Sequence, residues 1–132
     1  MLNGINHITV AVSDLDRSLD FYVNHLGFTP HVRWDGGAYL TLAETWFCLS
    51  IDHVSPNEDY SHIALDISED KFDSFIARLQ SLKTLEWKHN SSEGNSIYFL
   101  DPDGHKFEVH SGTLQSRLDE LKKSPYRGLK WL

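Results

Sequence analysis

Two eight-residue segments of this chain repeat one pattern. Asn6-His-Ile-Thr-Val-Ala-Val-Ser13 and Ser61-His-Ile-Ala-Leu-Asp-Ile-Ser68 share the pattern His-Ile-x-apolar-x-apolar-Ser, with the histidines at positions 7 and 62, 55 residues apart. Self-similarity at a fixed spacing constrains a fold more than composition does, because each copy must build the same supersecondary unit. Each copy alternates like a half-buried strand and ends in a serine suited to cap a helix. After Ser13, the apolar residues Leu15, Leu19, Tyr22 and Leu26 fall at i, i+4, i+7 and i+11, and Gly27 stands where a helix stops. After Ser68, Phe72, Phe75, Ile76, Leu79 and Leu82 repeat the helical spacing. Both halves then return to β runs, Thr29 to Arg33, Ala38 to Leu42 and Trp46 to Ile51 in the first, and Thr84 to Lys88, Ser96 to Leu100 and Lys106 to His110 in the second. Each half therefore reads β-α-β-β-β. The predicted fold is α+β, one domain of two tandem modules over about residues 1–53 and 60–112. The polar segment Asp52 to Asp59, with Pro56, links them. A third helix from about Leu114 to Lys123, with Leu114, Leu118 and Leu121 on one face, lies in the tail 113–132 and closes before Pro125.

Composition narrows the function classes. With 132 residues the chain suffices for a real core, and no apolar run approaches the ~20 residues of a membrane span. The N-terminus lacks the basic region and apolar stretch of a signal peptide, so a cytoplasmic protein is expected. A net charge of −7 argues against nucleic acid, which demands a basic footprint. The single Cys48 forbids an intramolecular disulfide and any multi-cysteine zinc site, and reads as an inert buried thiol. Eight histidines turn attention to metal ligation.

Residues 88 to 110 carry the richest chemistry. Asn90 through Ser96 is small and polar, and Gly94 permits a turn with positive φ, so several oxygen atoms can gather around one point. Ile97 and Phe99 begin a hairpin whose turn is Asp101-Pro102-Asp103-Gly104. The returning run alternates at period two. Phe107 and Val109 take one face, and Glu108 and His110 the other, beside Lys106. Such a strand presents an acidic side chain rigidly, as a metal ligand requires; a solvated edge strand reads the same. The repeat adds weight, since His7 and His62 occupy equivalent strands. Two imidazoles and one carboxylate with open positions suit a catalytic Mn²⁺, Fe²⁺ or Zn²⁺. The comparable strand of the first half, Trp46-Phe-Cys-Leu-Ser-Ile51, has no carboxylate, which leaves three protein ligands and room for a substrate.

At this point the chain resembles a known family. Gly4-Ile-Asn-His-Ile-Thr-Val-Ala-Val12, Arg33-Trp-Asp-Gly-Gly-Ala-Tyr-Leu40, Asp59-Tyr-Ser-His-Ile-Ala64, Ser92-Glu-Gly-Asn-Ser-Ile-Tyr-Phe-Leu-Asp-Pro-Asp-Gly-His105 and Pro125-Tyr126 are similar to the glutathione-dependent fosfomycin-resistance transferases of the vicinal oxygen chelate, or glyoxalase/bleomycin-resistance, superfamily. The resemblance implies that His7, His62 and Glu108 bind Mn²⁺ in a homodimer whose sites are completed across chains, with His7 from one chain and the other two from its partner. It implies that Asn90, Ser92, Gly94 and Ser96 hold an activating K⁺; a loop with neutral oxygens and one carboxylate, Glu93, has too little charge for a good Ca²⁺ site. It implies that the substrates are fosfomycin, a small epoxide bearing a phosphonate, and glutathione as co-substrate. Lys88, Arg117, Ser92, Tyr98 and Thr9 match positions that bind the phosphonate and the epoxide oxygen, Trp46 and Tyr60 the apolar side of the pocket, and Tyr39 a position near the thiol. Trp34 falls in the same substrate region. Thr9 and the intact cation loop favour the glutathione branch over the bacillithiol branch. Gly36 and Ser91 depart from the pattern, standing where relatives often carry longer polar and basic side chains. Glu44 lies in the general region from which the hydrolase branch draws a glutamate to activate water. A non-catalytic drug-binding protein of this fold would typically lack the His/His/Glu set.

Overall fold

β1 (His7–Val12) shows in its burial why it folds as a strand: Val10 and Val12 are buried while His7 and Thr9 are exposed. The computed structural model describes residues 1–132 as two compact units, one of residues 1–61 with 100–106, the other of residues 62–99 with 107–132. They contain two four-stranded mixed sheets and three helices, the α+β arrangement expected from the repeat.

The first unit contains β1, α1 (Leu15–Leu19), β2 (Thr29–Trp34), β3 (Gly37–Leu42) and β4 (Thr45–Ile51), in sheet order β1-β4-β3-β2 with β1 parallel to β4 and the remaining pairs antiparallel. The register aligns Val10 with Leu49 and Leu49 with Ala38, so their side chains share one face. On that face Phe47, Leu40, Tyr22 and Phe28 complete an aromatic core, with ring centroids 5.1–5.4 Å apart among Tyr22, Phe28 and Phe47.

Two expectations about this unit need correcting. Ser13 does not cap α1. Asp14 does, accepting from the Arg17 backbone N–H at 3.0 Å, while the Ser13 hydroxyl donates to Asp103. Nor does one regular helix run to Gly27: from Asp20 to His25 the backbone widens into a π-helix, with Leu26 N–H bonded to the Phe21 carbonyl. This widened turn accommodates burial of the adjacent Phe21 and Tyr22. Tyr22 then donates to Asp101 at 2.6 Å, and Asp101 also accepts from the backbone N–H groups of Asp103 and His105 at 3.1 and 2.7 Å. Burial raises the Asp101 carboxyl above its ordinary pKa against the pull of those hydrogen bonds, and raises the Tyr22 hydroxyl well above its own. His105 adds a ring hydrogen bond to the Ala11 carbonyl at 2.7 Å. The turn Asp101–Gly104 is therefore a docked element and more than a connection.

The second unit contains β5 (Ile63–Asp66), α2 (Glu69–Ser81), β6 (Glu86–Lys88), β7 (Asn95–Leu100), β8 (Lys106–Ser111) and α3 (Leu114–Lys123), in sheet order β5-β8-β7-β6. β8 is thus a central strand, parallel to β5, which removes the solvated-edge reading of Glu108. Phe99 and Phe107 are fully buried and stack at 5.7 Å, with Phe72, Leu79 and Leu121 also in the core. Ser68 stands at the N-cap of α2 without a side-chain capping bond. On α3, Leu121 is buried but Leu114 is 74% exposed, so the apolar face covers only the later part of the helix. Thr113 and Ser116 form a reciprocal capping box at its start. No helix is long and apolar enough to cross a membrane.

Candidate active site

β5 and β8 lie in parallel register with Ala64 beside Glu108, which places the residue two before Ala64, His62, on the Glu108 face. The result is a close pair. His62 Nε2 lies 3.8 Å from Glu108 Oε1, and the Glu108 residue is only 8% exposed. A carboxylate this deep needs compensation. The separation is one that two ligands of a single ion can span, since such bonds are about 2.0–2.2 Å long. Within this unit no third His, Cys, Asp or Glu joins them. Trp87 and Tyr98 wall the imidazole, at ring centroid distances of 5.5 and 6.1 Å, and Trp87 is fixed by its Nε1–H donating to the Phe107 carbonyl at 3.0 Å. Lys88 pairs with Tyr98 across β6 and β7, and its ammonium sits 4.8 Å from the centre of the Tyr98 ring. One imidazole, one carboxylate, one ammonium and one phenol thus share a partly buried sheet face.

The loop before β7 is folded around its first residue. Asn90 Oδ1 accepts from the backbone N–H and the hydroxyl of Ser92, both at 3.1 Å, and Asn90 Nδ2 donates to the carbonyls of Ser92 and Gly94 at 3.3 and 2.8 Å. Two main-chain carbonyl oxygens therefore converge on one electropositive group. Gly94 has φ +80°, and an added Cβ would lie 2.7 Å from the Ser111 carbonyl, so the residue must be glycine. Arg117, on the second turn of α3, binds this loop: its Nε donates to Glu93 at 3.3 Å and its guanidinium to the Glu93 carbonyl at 3.1 Å and the Ser92 hydroxyl at 3.4 Å. Burial works against its charge, but the hydrogen bond to Glu93 and the interaction with Tyr126 outweigh it, so its pKa stands above the ordinary value. Ser96 is placed differently from the other loop residues. Its hydroxyl lies 2.6 Å from His110 Nδ1 and 3.4 Å from Glu108 Oε2.

In the first unit, His7, Thr9, Tyr39 and Trp46 occupy the sheet face opposite the core. The register pairs His7 with Trp46, Thr9 with Cys48, and Cys48 with Tyr39. Rings run along this face from Trp34 to Tyr39 at 4.7 Å, Tyr39 to Trp46 at 5.2 Å and Trp46 to His7 at 4.4 Å. His7 Nδ1 is 2.8 Å from Asn6 Oδ1. Because a carbonyl oxygen only accepts, the neutral ring bonded in this way carries its proton on Nδ1 and leaves Nε2 as the lone-pair nitrogen, the tautomer a metal-binding histidine uses. Cys48 is buried and free. Tyr60 is exposed near the end of the unit, and Glu44 is exposed in the turn between β3 and β4.

The structure thus gathers His62, Glu108, Lys88, Tyr98 and Ser96 on one face, joins Asn90, Ser92, Gly94 and Arg117 in one loop cluster, and aligns His7, Thr9, Trp34, Tyr39 and Trp46 on the other sheet. Sequence reading missed Asn6, Trp87 and the hold of Glu93 on Arg117. A signal existed for Asn6, an amide adjoining a candidate ligand, and for Trp87, an aromatic beside Lys88. The Glu93–Arg117 pair spans 24 residues and left no local signal.

Comparison with known proteins bears on this geometry. Residues 4–109 match the Glyoxalase/Bleomycin resistance protein/Dioxygenase superfamily. The chain is 48% identical to the glutathione transferase FosA of Serratia marcescens over 98% of its own length and 95% of that protein, and 43% identical to the metallothiol transferase FosB of Lysinibacillus sphaericus over 92% of each. Among solved structures, the genomically encoded fosfomycin resistance protein FosX from Listeria monocytogenes, complexed with Mn(II) and sulfate, superposes with a TM-score of 0.81 at 32% identity, covering 91% of this chain and 98% of that one. Full-length identity of this order, on a shared fold, places the chain in the Glyoxalase/Bleomycin resistance protein/Dioxygenase superfamily and, within it, among the fosfomycin-resistance thiol transferases.

Proposed function

We propose that the protein transfers glutathione to an epoxide carbon of fosfomycin, opening the ring, and that it does so as a cytoplasmic homodimer dependent on Mn²⁺ and K⁺. The observation that carries this reading is the pairing of His62 with the buried Glu108, which share their sheet face with Lys88 and Tyr98. The donor set fits a Mn²⁺ ion: His62 and Glu108 would supply nitrogen and oxygen from one chain, and His7, through Nε2, would supply the third ligand from the partner chain. The loop fits K⁺, because the Ser92 and Gly94 carbonyls already converge on a single donor and only one carboxylate, Glu93, stands nearby. When bound, the divalent ion supplies Lewis acidity toward the epoxide oxygen.

The remaining chemistry belongs to side chains. Lys88, Arg117, Ser92 and Tyr98 present cations and hydroxyls to the phosphonate dianion and orient the epoxide for in-line attack. Trp34, Trp46 and Tyr60 pack the apolar parts of the substrates. Tyr39 lies beside the thiol and helps it ionise. The thiolate forms an S–C bond as the C–O bond breaks, and Thr9 hydrogen-bonds the oxygen that gathers negative charge before it takes a proton from solvent. Cys48, buried and flanked by Thr9 and Tyr39 in the register, is not the nucleophile.

One observation favours a second thiol. Gly36 leaves space that the Trp34 indole covers, with Nε1 only 3.2 Å from where a Cβ would stand, and Ser91 is short and exposed. Positions that would grip glutathione in fuller relatives thus carry no long side chain, and another thiol is the alternative co-substrate. Incubating the Mn²⁺/K⁺ protein with fosfomycin and glutathione, cysteine, bacillithiol or water alone, followed by mass spectrometry, tests both. A glutathione adduct is expected, and a faster rate with cysteine or bacillithiol would reassign the thiol. The diol as the main product would overturn the transferase reading and direct mutagenesis to Glu44.

A further inference from the structure

We propose that His110 is a positioning residue that couples the Asn90–Ser96 loop to the Glu108 carboxylate through the hydroxyl of Ser96, so that the two cation sites bind cooperatively. The inference rests on reading Glu108 as a ligand of the divalent metal and the loop as a monovalent-cation site. Period-two alternation on β8 sends Glu108 and His110 to the same face, where Ser96 at the start of β7 meets both, at 3.4 Å from Glu108 Oε2 and 2.6 Å from His110 Nδ1. A hydroxyl has one proton. If Ser96 gives it to the carboxylate, its oxygen must accept from His110, which fixes the imidazole as the Nδ1–H form and the chain as His110 to Ser96 to Glu108. Ser96 therefore belongs to the carboxylate's support as much as to the loop.

The Cε1–Nε2 end of the ring lies against two glycines. A Cβ at Gly94 would come within 2.8 Å of His110 Cε1, and one at Gly112 within 2.6 Å of His110 Nε2. Gly94 is also the residue whose carbonyl accepts from Asn90 at 2.8 Å. A displacement of that carbonyl as a cation enters the loop thus presses on the His110 ring, and through Ser96 on Glu108. Partners that orient a ligating carboxylate typically change metal affinity 10–100-fold when removed. A coupling between two sites must be reciprocal in binding.

The test is Mn²⁺ affinity, measured by electron paramagnetic resonance in KCl and in choline chloride of equal ionic strength. For the unaltered protein K⁺ should tighten Mn²⁺ binding. His110→Asn places its amide where Nδ1 stands and should retain most of the affinity and the K⁺ effect. His110→Gln places its amide where Nε2 stands; it should bind Mn²⁺ roughly 10-fold or more weakly and lose the K⁺ effect. Ser96→Ala should behave like His110→Gln. Wild-type affinity and K⁺ response in His110→Gln, or equal losses in the Asn and Gln variants, would overturn the proposal, the second by showing that the ring only fills space. Glu108→Gln separates this failure from failure of the underlying assignment: if it still binds Mn²⁺ normally, Glu108 is not a ligand and the inference falls with that reading.

Discussion

Asp101 shows how one side chain can matter to a fold without belonging to its chemistry. It is buried, yet it accepts three hydrogen bonds, and its pKa is raised because desolvation outweighs them. A carboxyl raised in the folded state binds its proton there more tightly than in the unfolded chain, so its contribution to stability is full below the ordinary carboxylate pKa and is lost as pH rises through the raised value. The stability of the wild type relative to Asp101→Asn should accordingly fall as pH rises above the ordinary carboxylate range, as urea denaturation at stepped pH would show. A flat difference would mean that the carboxyl is not desolvated. Ser91→Arg should lower the apparent KM for glutathione by up to about fivefold with little change in kcat, the worth of an exposed ion pair made equally in ground and transition states. Gly36→Gln should gain less, because its Cβ must first displace the Trp34 indole. Steady-state kinetics on the two variants checks the order.

Elements divide into those that could be read from local pattern and those that could not. The eight strands are legible because alternation of His7-Ile-Thr-Val-Ala-Val12 or Lys106-Phe-Glu-Val-His110 is a period-two signal, and the same period puts Glu108 opposite Phe107. Helix starts were less legible. Ser13 and Asp14 are both good caps, and the choice fell to Asp14 because the Ser13 hydroxyl is taken by Asp103, 90 residues away. The π-helix at Asp20–His25 was not legible, since burial of Tyr22 against Asp101 is a tertiary demand with no trace in helical spacing. For the same reason His62–Glu108 could be anticipated from strand register, whereas Arg117–Glu93 depends on how an irregular loop meets a helix. That helix is set by its cap: Thr113 accepts from the Ser116 N–H at 3.0 Å, and the Arg117 N–H bonds to the Thr113 carbonyl at 3.1 Å. Thr113→Ala should cost about 1 kcal/mol of stability, read from the denaturant midpoint.

At the scale of the whole molecule the claim is that two chains complete each active site. Within the second unit His62 and Glu108 make only a pair, and a divalent ion with catalytic reach calls for at least one more protein ligand. His7, whose hydrogen bond to Asn6 frees Nε2, is the residue assigned to supply it from the partner chain in an isologous dimer. The repeat that shaped the fold, with its histidines at 7 and 62, would thereby also supply the two imidazoles of the metal centre. His7→Ala and Glu108→Ala chains, each purified and then mixed so that subunits exchange, provide the most direct test, read as the rate of fosfomycin–glutathione adduct formation with Mn²⁺ and K⁺ present. Each variant alone should be nearly inactive, and the mixture should recover about a quarter of wild-type activity, since half of randomly paired dimers are mixed and each mixed dimer regains one intact site of two. A mixture as inactive as its parents, or a parent that retains wild-type activity alone, would contradict the account.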